Sequence, residues 1–407
     1  MFLINCPYCG ERDQSEFSCG GEAHIVRPKN PPDLNDDQWA DYLFMRKNIK
    51  GVQFERWNHS NGCRKWFNVA RNTATDEILK IYNMGDKSPD LNQNNPLVQR
   101  YLIQLSYWWI EYSGIDGMRM DTYPYASKEP MARWAKSIIS EFPNFNIVGE
   151  IWLTEPPLTA YWQTGFTSPD GYESHLPSVI DFPFSYEVGQ ALGRNSNPND
   201  IKKIYYTLAQ DFIYPNPKDN VIFLDNHDTD RFYSTVGKDI RKYKLGFALL
   251  MVNRGIPQMY YGFEINLYGS RKKGDADIRK DFPGGWSEDK RSAFVKNGRT
   301  NEENEIWEFC SRLLNWRKGN STIHNGHTMQ FIPLKDGIYS IFRYDEEKVI
   351  GLIINPSEEK VVIKSNRYDE LTHGQKRYLD IVDGKIKKWE NQINIPPVGF
   401  RLIEFKL

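Results

Sequence analysis

The chain is predicted to be an α/β protein with a parallel sheet, open or closed into a barrel, followed by a small antiparallel β-sandwich. Three observations predict it. Strand-like and helix-like patterns alternate from about 94 to 319, which calls for parallel strands joined by crossover helices. After Gly319 the hydrophobic period switches to two and turn signals arrive at short intervals. The 407 residues are 40% hydrophobic and 14% aromatic, enough to bury a sizeable core and to exclude disordered and collagen-like classes.

Residues 1–86 show scattered aromatics and a Pro-rich stretch at 28–33 but no sustained period, and no element is assigned there. Asn95 and Pro96 then form a helix start. Val98, Leu102, Leu105, Trp109 and Tyr112 recur at helical spacing until Gly114 stops the helix. Residues 115–121 read as a buried strand, 130–142 as a helix, 146–150 and 179–182 as strands, and 183–212 as helical. A strand at 221–224, a helix at 241–253 before Gly255, a strand at 256–261, a loop at 262–300 and a helix at 303–318 complete this part. Strands of the last part fall at 330–333, 338–344, 349–354, 361–364, 378–382, 393–395 and 400–405. The predicted divisions are 1–86, unassigned, 87–319 and 320–407.

Charge removes some partners. With 52 basic and 53 acidic residues, the chain offers no electrostatic reason to bind nucleic acid or an anionic membrane. Its longest apolar runs, such as 247–252, are too short to cross a bilayer, and residues 1–5 lack the basic and apolar regions of an export signal, so the compartment stays unassigned. Cys6, Cys9, Cys19, Cys63 and Cys310 do not make an even disulfide framework. Cys6-Pro-Tyr-Cys9 invites a redox or zinc reading. The first needs a βαβ pattern and the second a second ligand pair; neither is read, so no metal ligand is assigned.

Three acids stand at predicted strand ends: Asp121, Glu150 and Asp228, the last within Leu224-Asp-Asn-His-Asp228. Each alone is a common helix cap. Together, at the C-terminal rim of a parallel barrel, they sit where catalysis is assembled. Two carboxylates about 5 Å apart can divide glycoside hydrolysis between a nucleophile and an acid. Arg119, two residues before Asp121, shares its strand face and can hold that carboxylate ionised.

The motifs carry a resemblance. Ser88-Pro-Asp-Leu-Asn92, Gly114-Ile-Asp-Gly-Met-Arg-Met-Asp121, Gly149-Glu-Ile-Trp152, Leu224-Asp-Asn-His-Asp228 and Gly255-Ile-Pro-Gln-Met-Tyr-Tyr-Gly-Phe-Glu264 occur in order. From Pro89 on, the chain resembles the α-amylase family, glycoside hydrolase family 13, in its neopullulanase and cyclomaltodextrinase branch. The resemblance implies a TIM-type (β/α)8 barrel, here with strands four to eight, and a C-terminal antiparallel β-sandwich. It implies Asp121 as nucleophile, Glu150 as general acid and base, and Asp228 as the group that grips the sugar in the transition state. Arg119, His227, Asn226 and Trp152, with Arg279 and Asp281 from the loop that also carries Asp277, Phe282 and Trp286, become substrate-binding residues.

The family's third-strand motif, an Asp-x-x-x-Asn-His pattern, is not found. Arg56-Trp-Asn-His59 lacks its aspartate and apolar strand and is read as chance. At roughly 30 residues per βα unit, the first 86 residues cannot hold three units and the family's inserted loop domain. Two functions are therefore carried forward. One is a retaining α-glucan hydrolase acting on α-1,4 links of maltodextrin, cyclodextrin or pullulan; the other is a catalytically impaired glucan-binding relic. No cofactor is required. The resemblance admits structural calcium without locating a site, a homo-oligomer, and the periplasmic residence of bacterial starch-utilisation enzymes.

Overall fold

The computed structural model describes residues 3–25, 28, 31–83, 91–335 and 337–407, so the Ser88-Pro-Asp90 part of the first motif and the 86/87 division lie outside the described residues. Two compact units are found, Met1–Leu91 and Asn92–Leu407.

The first unit is β-rich. β1 (Leu3–Cys6) and β2 (Gly10–Asp13) form a hairpin, and β3 (Ser18–Glu22), β4 (Val52–Asn58), β5 (Trp66–Asn72) and β6 (Ile78–Asn83) form an antiparallel sheet in that order. A helix, Asp36–Phe44, is closed at its N-terminus by a reciprocal Asn35 and Gln38 capping box. These strands escape a hydrophobicity reading because polar and sulfur groups fill inward positions. Ile4, Cys6, Phe17, Trp57, Phe67 and Val69 form the core, while buried Glu55 is satisfied by Trp57 Nε1 at 2.9 Å and by Arg71 Nε and Nη2 at 2.9 and 2.7 Å. Burial opposes ionisation of Glu55, but those donors outweigh it and hold its carboxyl below the usual range.

In the second unit the helix Pro96–Ser113 begins at Asn95, whose side chain accepts from Leu97 N, and ends where Gly114 takes φ 62°, a left-handed turn that suits a residue without Cβ. β7 (Gly117–Met120), β8 (Asn146–Gly149) and β9 (Ser178–Val179) are parallel neighbours, as are β10 (Val221–Phe223) and β11 (Ile256–Gln258). A parallel bridge between Ile180 and Val221 joins the two sets. The result is an arc of five parallel strands, all with their C-terminal ends on one rim, and β7 and β11 are its open edges among the described residues. The helices Lys128–Glu141, Phe182–Leu192, Ile240–Val252 and Asn301–Lys318 pack behind it.

The C-terminal part has six antiparallel strands in the order β12 (His327–Phe331), β13 (Tyr339–Tyr344), β14 (Lys348–Asn355), β19 (Gly399–Lys406), β16 (Arg377–Asp380) and β17 (Lys385–Lys388). β15 (Val361–Lys364) and β18 (Gln392–Ile395) form a second, two-stranded sheet. β14 shows why the period of two was legible: Ile350, Leu352 and Ile354 face the barrel helices, while Val349 and Ile353 face the small sheet.

Candidate functional site

Register sets the first pair of acids. Met120 is opposite Gly149 across β7 and β8, so Asp121 and Glu150 leave adjacent strands side by side, and Glu150 N donates to Met120 O at 2.9 Å. Adjacent strands lie about 4.8 Å apart. Arg119 spans the two acids, its Nη1 donating to Asp121 Oδ1 and its Nη2 to Glu150 Oε1, each at 2.5 Å. Thr122 N donates to the other Glu150 oxygen at 2.9 Å. Thr122 does so from φ 47°, an unfavourable conformation for a β-branched residue and a form of strain that collects at functional sites. The Glu150 side chain is 4% exposed and that of Asp121 65%.

Asp228 is held separately, beyond the end of β10. His227 Nε2 lies 2.9 Å from its Oδ2, and Arg279 Nη2 donates to its Oδ1 at 2.7 Å while Arg279 Nε donates to His227 O at 2.8 Å. Arg271 Nη1 donates to Asp228 O at 2.9 Å and its guanidinium lies 5.2 Å from the Trp152 ring centroid. Trp152, Asp228, Thr229, Asp230, Arg271 and Lys272 line one open cavity of about 460 Å³. A Trp ring backed by Phe182 at 5.0 Å and facing carboxylates is suited to the apolar face and hydroxyls of a sugar.

The remaining sequence expectations distribute unevenly. Asn226 is buried and its Oδ1 accepts from Asp228 N at 2.9 Å, so that side chain builds the turn that presents Asp228. Asp277 accepts from Ser270 N and pairs with Lys280 Nζ at 2.7 and 2.8 Å; the hydrogen bond from Lys280, then that from Ser270, holds its carboxyl below the usual range. Asp281 and Trp286 are exposed on the same loop, and Phe282 packs on Phe294. Thr122 and Arg271 were not anticipated: neither stands at a motif position, and it is the positive φ of the first and the side-chain contacts of the second that reveal them.

A second cluster lies in the first unit. Ligand atoms of Cys6, Cys9, His59 and Cys63 all fall within 4.8 Å of one another. Cys6 Sγ is 3.8 Å from Cys63 Sγ, which is 3.4 Å from His59 Nδ1. His59 Nε2 is 2.8 Å from Glu16 Oε2, so with Nδ1 turned to the sulfurs the ring proton belongs on Nε2, given to a carboxylate. The turn between β4 and β5 closes tightly around that ring: a Cβ at Gly62 would sit 2.1 Å from it. The sequence expectation that no second ligand pair accompanies Cys6-x-x-Cys9 is therefore corrected. His59-x-x-x-Cys63 is that pair, some fifty residues on, and the His59 set aside as chance belongs to it. Three sulfurs and one imidazole nitrogen suit a tetrahedral zinc ion.

A five-stranded parallel arc with three acids on its C-terminal rim, backed by an antiparallel sandwich, has the architecture of a (β/α) barrel with a C-terminal β-sandwich; the Cys/His unit is a different kind of module. Comparison with known proteins agrees. Residues 3–84 match the sarcosine oxidase, delta subunit family, and residues 328–404 the cyclo-malto-dextrinase C-terminal domain. The chain is 53% identical over 92 residues to sarcosine oxidase subunit delta of Corynebacterium sp. (strain P-1), covering 23% of this chain and 94% of that one. It is 34% identical over 246 residues to the cyclomaltodextrin glucanotransferase of Geobacillus stearothermophilus, covering 59% of this chain and 30% of the relative. The solved α-amylase of Anoxybacillus superposes with a TM-score of 0.62 at 25% identity, over 78% of this chain and 65% of that one. The first unit thus belongs to the sarcosine oxidase delta subunit family, and the second is similar to cyclomaltodextrinases, maltogenic amylases and α-amylases of glycoside hydrolase family 13. It spans 30 to 52% of the length of the curated glucan-active relatives it matches.

Proposed function

We propose that the second unit is a retaining hydrolase of α-1,4-glucosidic bonds in maltodextrin, cyclodextrin or pullulan. The observation that carries this reading is one guanidinium, that of Arg119, holding Asp121 and Glu150 side by side at the ends of adjacent strands. Asp121 attacks the anomeric carbon to form a glucosyl ester while Glu150 gives a proton to the departing oxygen; Glu150 then takes a proton from water as the ester is hydrolysed. Asp228, which lines a cavity with Trp152, steadies the positive charge that develops on the sugar. Relatives named cyclomaltodextrin glucanotransferase and cyclomaltodextrinase support the substrate class.

A second reading, a glucan-binding protein of impaired activity, is favoured by the exposure of Asp121 beside the open β7 edge. Release of reducing sugar from cyclodextrin, pullulan and soluble starch by the full chain decides between them. Hydrolysis is expected in the wild type and a loss of at least about a thousandfold in Glu150→Gln; a folded wild type without activity selects the second reading.

For the first unit we infer a structural zinc held by Cys6, Cys9, His59 and Cys63, with Glu16 orienting His59. With all four positions taken by protein, such a site has no place for a reacting ligand.

A further inference from the structure

We propose that Arg231 is a positioning residue that fastens the loop after β11 to the loop after β10 and so sets the Asp228–Arg279 pair. The inference rests on the reading that Asp228 belongs to the active cleft. Arg231 is 1% exposed, three residues beyond Asp228. Its backbone N donates to Gly269 O at 3.1 Å, its Nε to Ile278 O at 2.7 Å and its Nη1 to Tyr261 O at 2.6 Å. The guanidinium also lies against the rings of Tyr260 and Tyr261, 4.0 and 4.7 Å from their centroids. Ile278 immediately precedes Arg279, whose side chain returns to Asp228 and to His227 O. The contacts close a circuit: Asp228 leads along the chain to Arg231, across to Ile278, and through Arg279 back to Asp228.

The circuit requires an arginine. Only a planar fork with several donors reaches two carbonyls while stacking on aromatic faces. It is also expensive for the fold. Burying a cation carries a large desolvation cost, offset here by the carboxylates of Asp225 and Glu264, which both feel the Arg231 charge. Yet Arg231 Nη2, Asp225 Oδ1 and Glu264 Oε2 are left without a hydrogen-bond partner. Apolar side chains would fill such a space at lower cost. What they could not do is hold residues 261 and 278 at a defined distance from Asp228.

The test uses the full chain with Arg231→Lys, which keeps the charge and loses the fork, and Arg231→Met. Hydrogen exchange should accelerate at least about tenfold in 259–281 and 226–230, while the helix Ile240–Val252 keeps its protection. In hydrolysis, kcat should fall about ten- to a hundredfold with KM nearly unchanged, and Arg231→Lys combined with Arg279→Lys should cost little more than the worse single change. Unaltered exchange in 259–281 for the lysine variant would overturn the proposal, as would loosening spread evenly through Ile240–Val252 and β14. A wild type without hydrolytic activity would count against the glycosidase reading alone, because the exchange comparison needs no turnover.

Discussion

Asp225 carries a cost that its neighbours only partly relieve. It directly precedes Asn226, its Oδ2 accepts from Phe232 N at 2.8 Å, and its Oδ1 is unpartnered. Burial, moderated by that hydrogen bond and by Arg231, pushes its pKa up to about 6 from 3.8. The folded state therefore holds this proton more tightly than the unfolded chain does. Its penalty is absent below the unfolded pKa, grows as pH rises through the folded pKa, and is complete above it. Asp225→Asn should accordingly stabilise the second unit by roughly 1–3 kcal/mol at pH 7.5 and give almost no gain at pH 4, read from urea melts at the two pH values. An equal gain at both would contradict the assignment. The acids at strand ends were legible as residues because each sits inside a run of several matching neighbours. Thr122 and Arg231 were not, since a positive φ and a side chain that serves two distant carbonyls leave no local pattern.

At the scale of elements, legibility followed the number of independent signals. The helix Pro96–Ser113 has a start at Asn95-Pro96, a period and a stop at Gly114, and was read nearly to its ends. The edge strand β17, Lys-Ile-Lys-Lys, was missed: charged residues that guard a sheet edge erase the alternation that would announce it. The Cys/His cluster was missed for a topological reason. Cys6 and Cys9 flank the β1–β2 turn and His59 and Cys63 the β4–β5 turn, so two hairpin ends separated by some fifty residues meet only in the fold. A staple between turns should dominate the stability of so small a unit. Elemental analysis of the purified chain is expected to find about one zinc per molecule, lost in Cys63→Ser, with faster hydrogen exchange across β4 and β5 and none across β14. Chelation that leaves β4 and β5 protected would contradict a structural role for the ion.

The whole molecule joins two families within one chain. The sequence reading placed a division after residue 86, ahead of the periodic patterns that begin near 94, and the first unit stayed unread because Cys6 and the paired Glu55 stand among its buried residues and blur the alternation. In the second unit four of the five motifs lie on or directly after the parallel strands β7, β8, β10 and β11, while β9 carries none, and the third-strand motif not found in the sequence has no counterpart among the described strands. The proposed catalysis rests on the Asp121, Glu150 and Asp228 set in an arc whose edges, β7 and β11, pair with no further strand among the described residues. The most direct measurement is mass spectrometry of Glu150→Gln after incubation with α-maltosyl fluoride, whose leaving group needs little help from an acid. A maltosyl ester on the peptide containing Asp121 is the predicted result. No adduct, or one on another residue, would contradict the assignment of Asp121 as nucleophile.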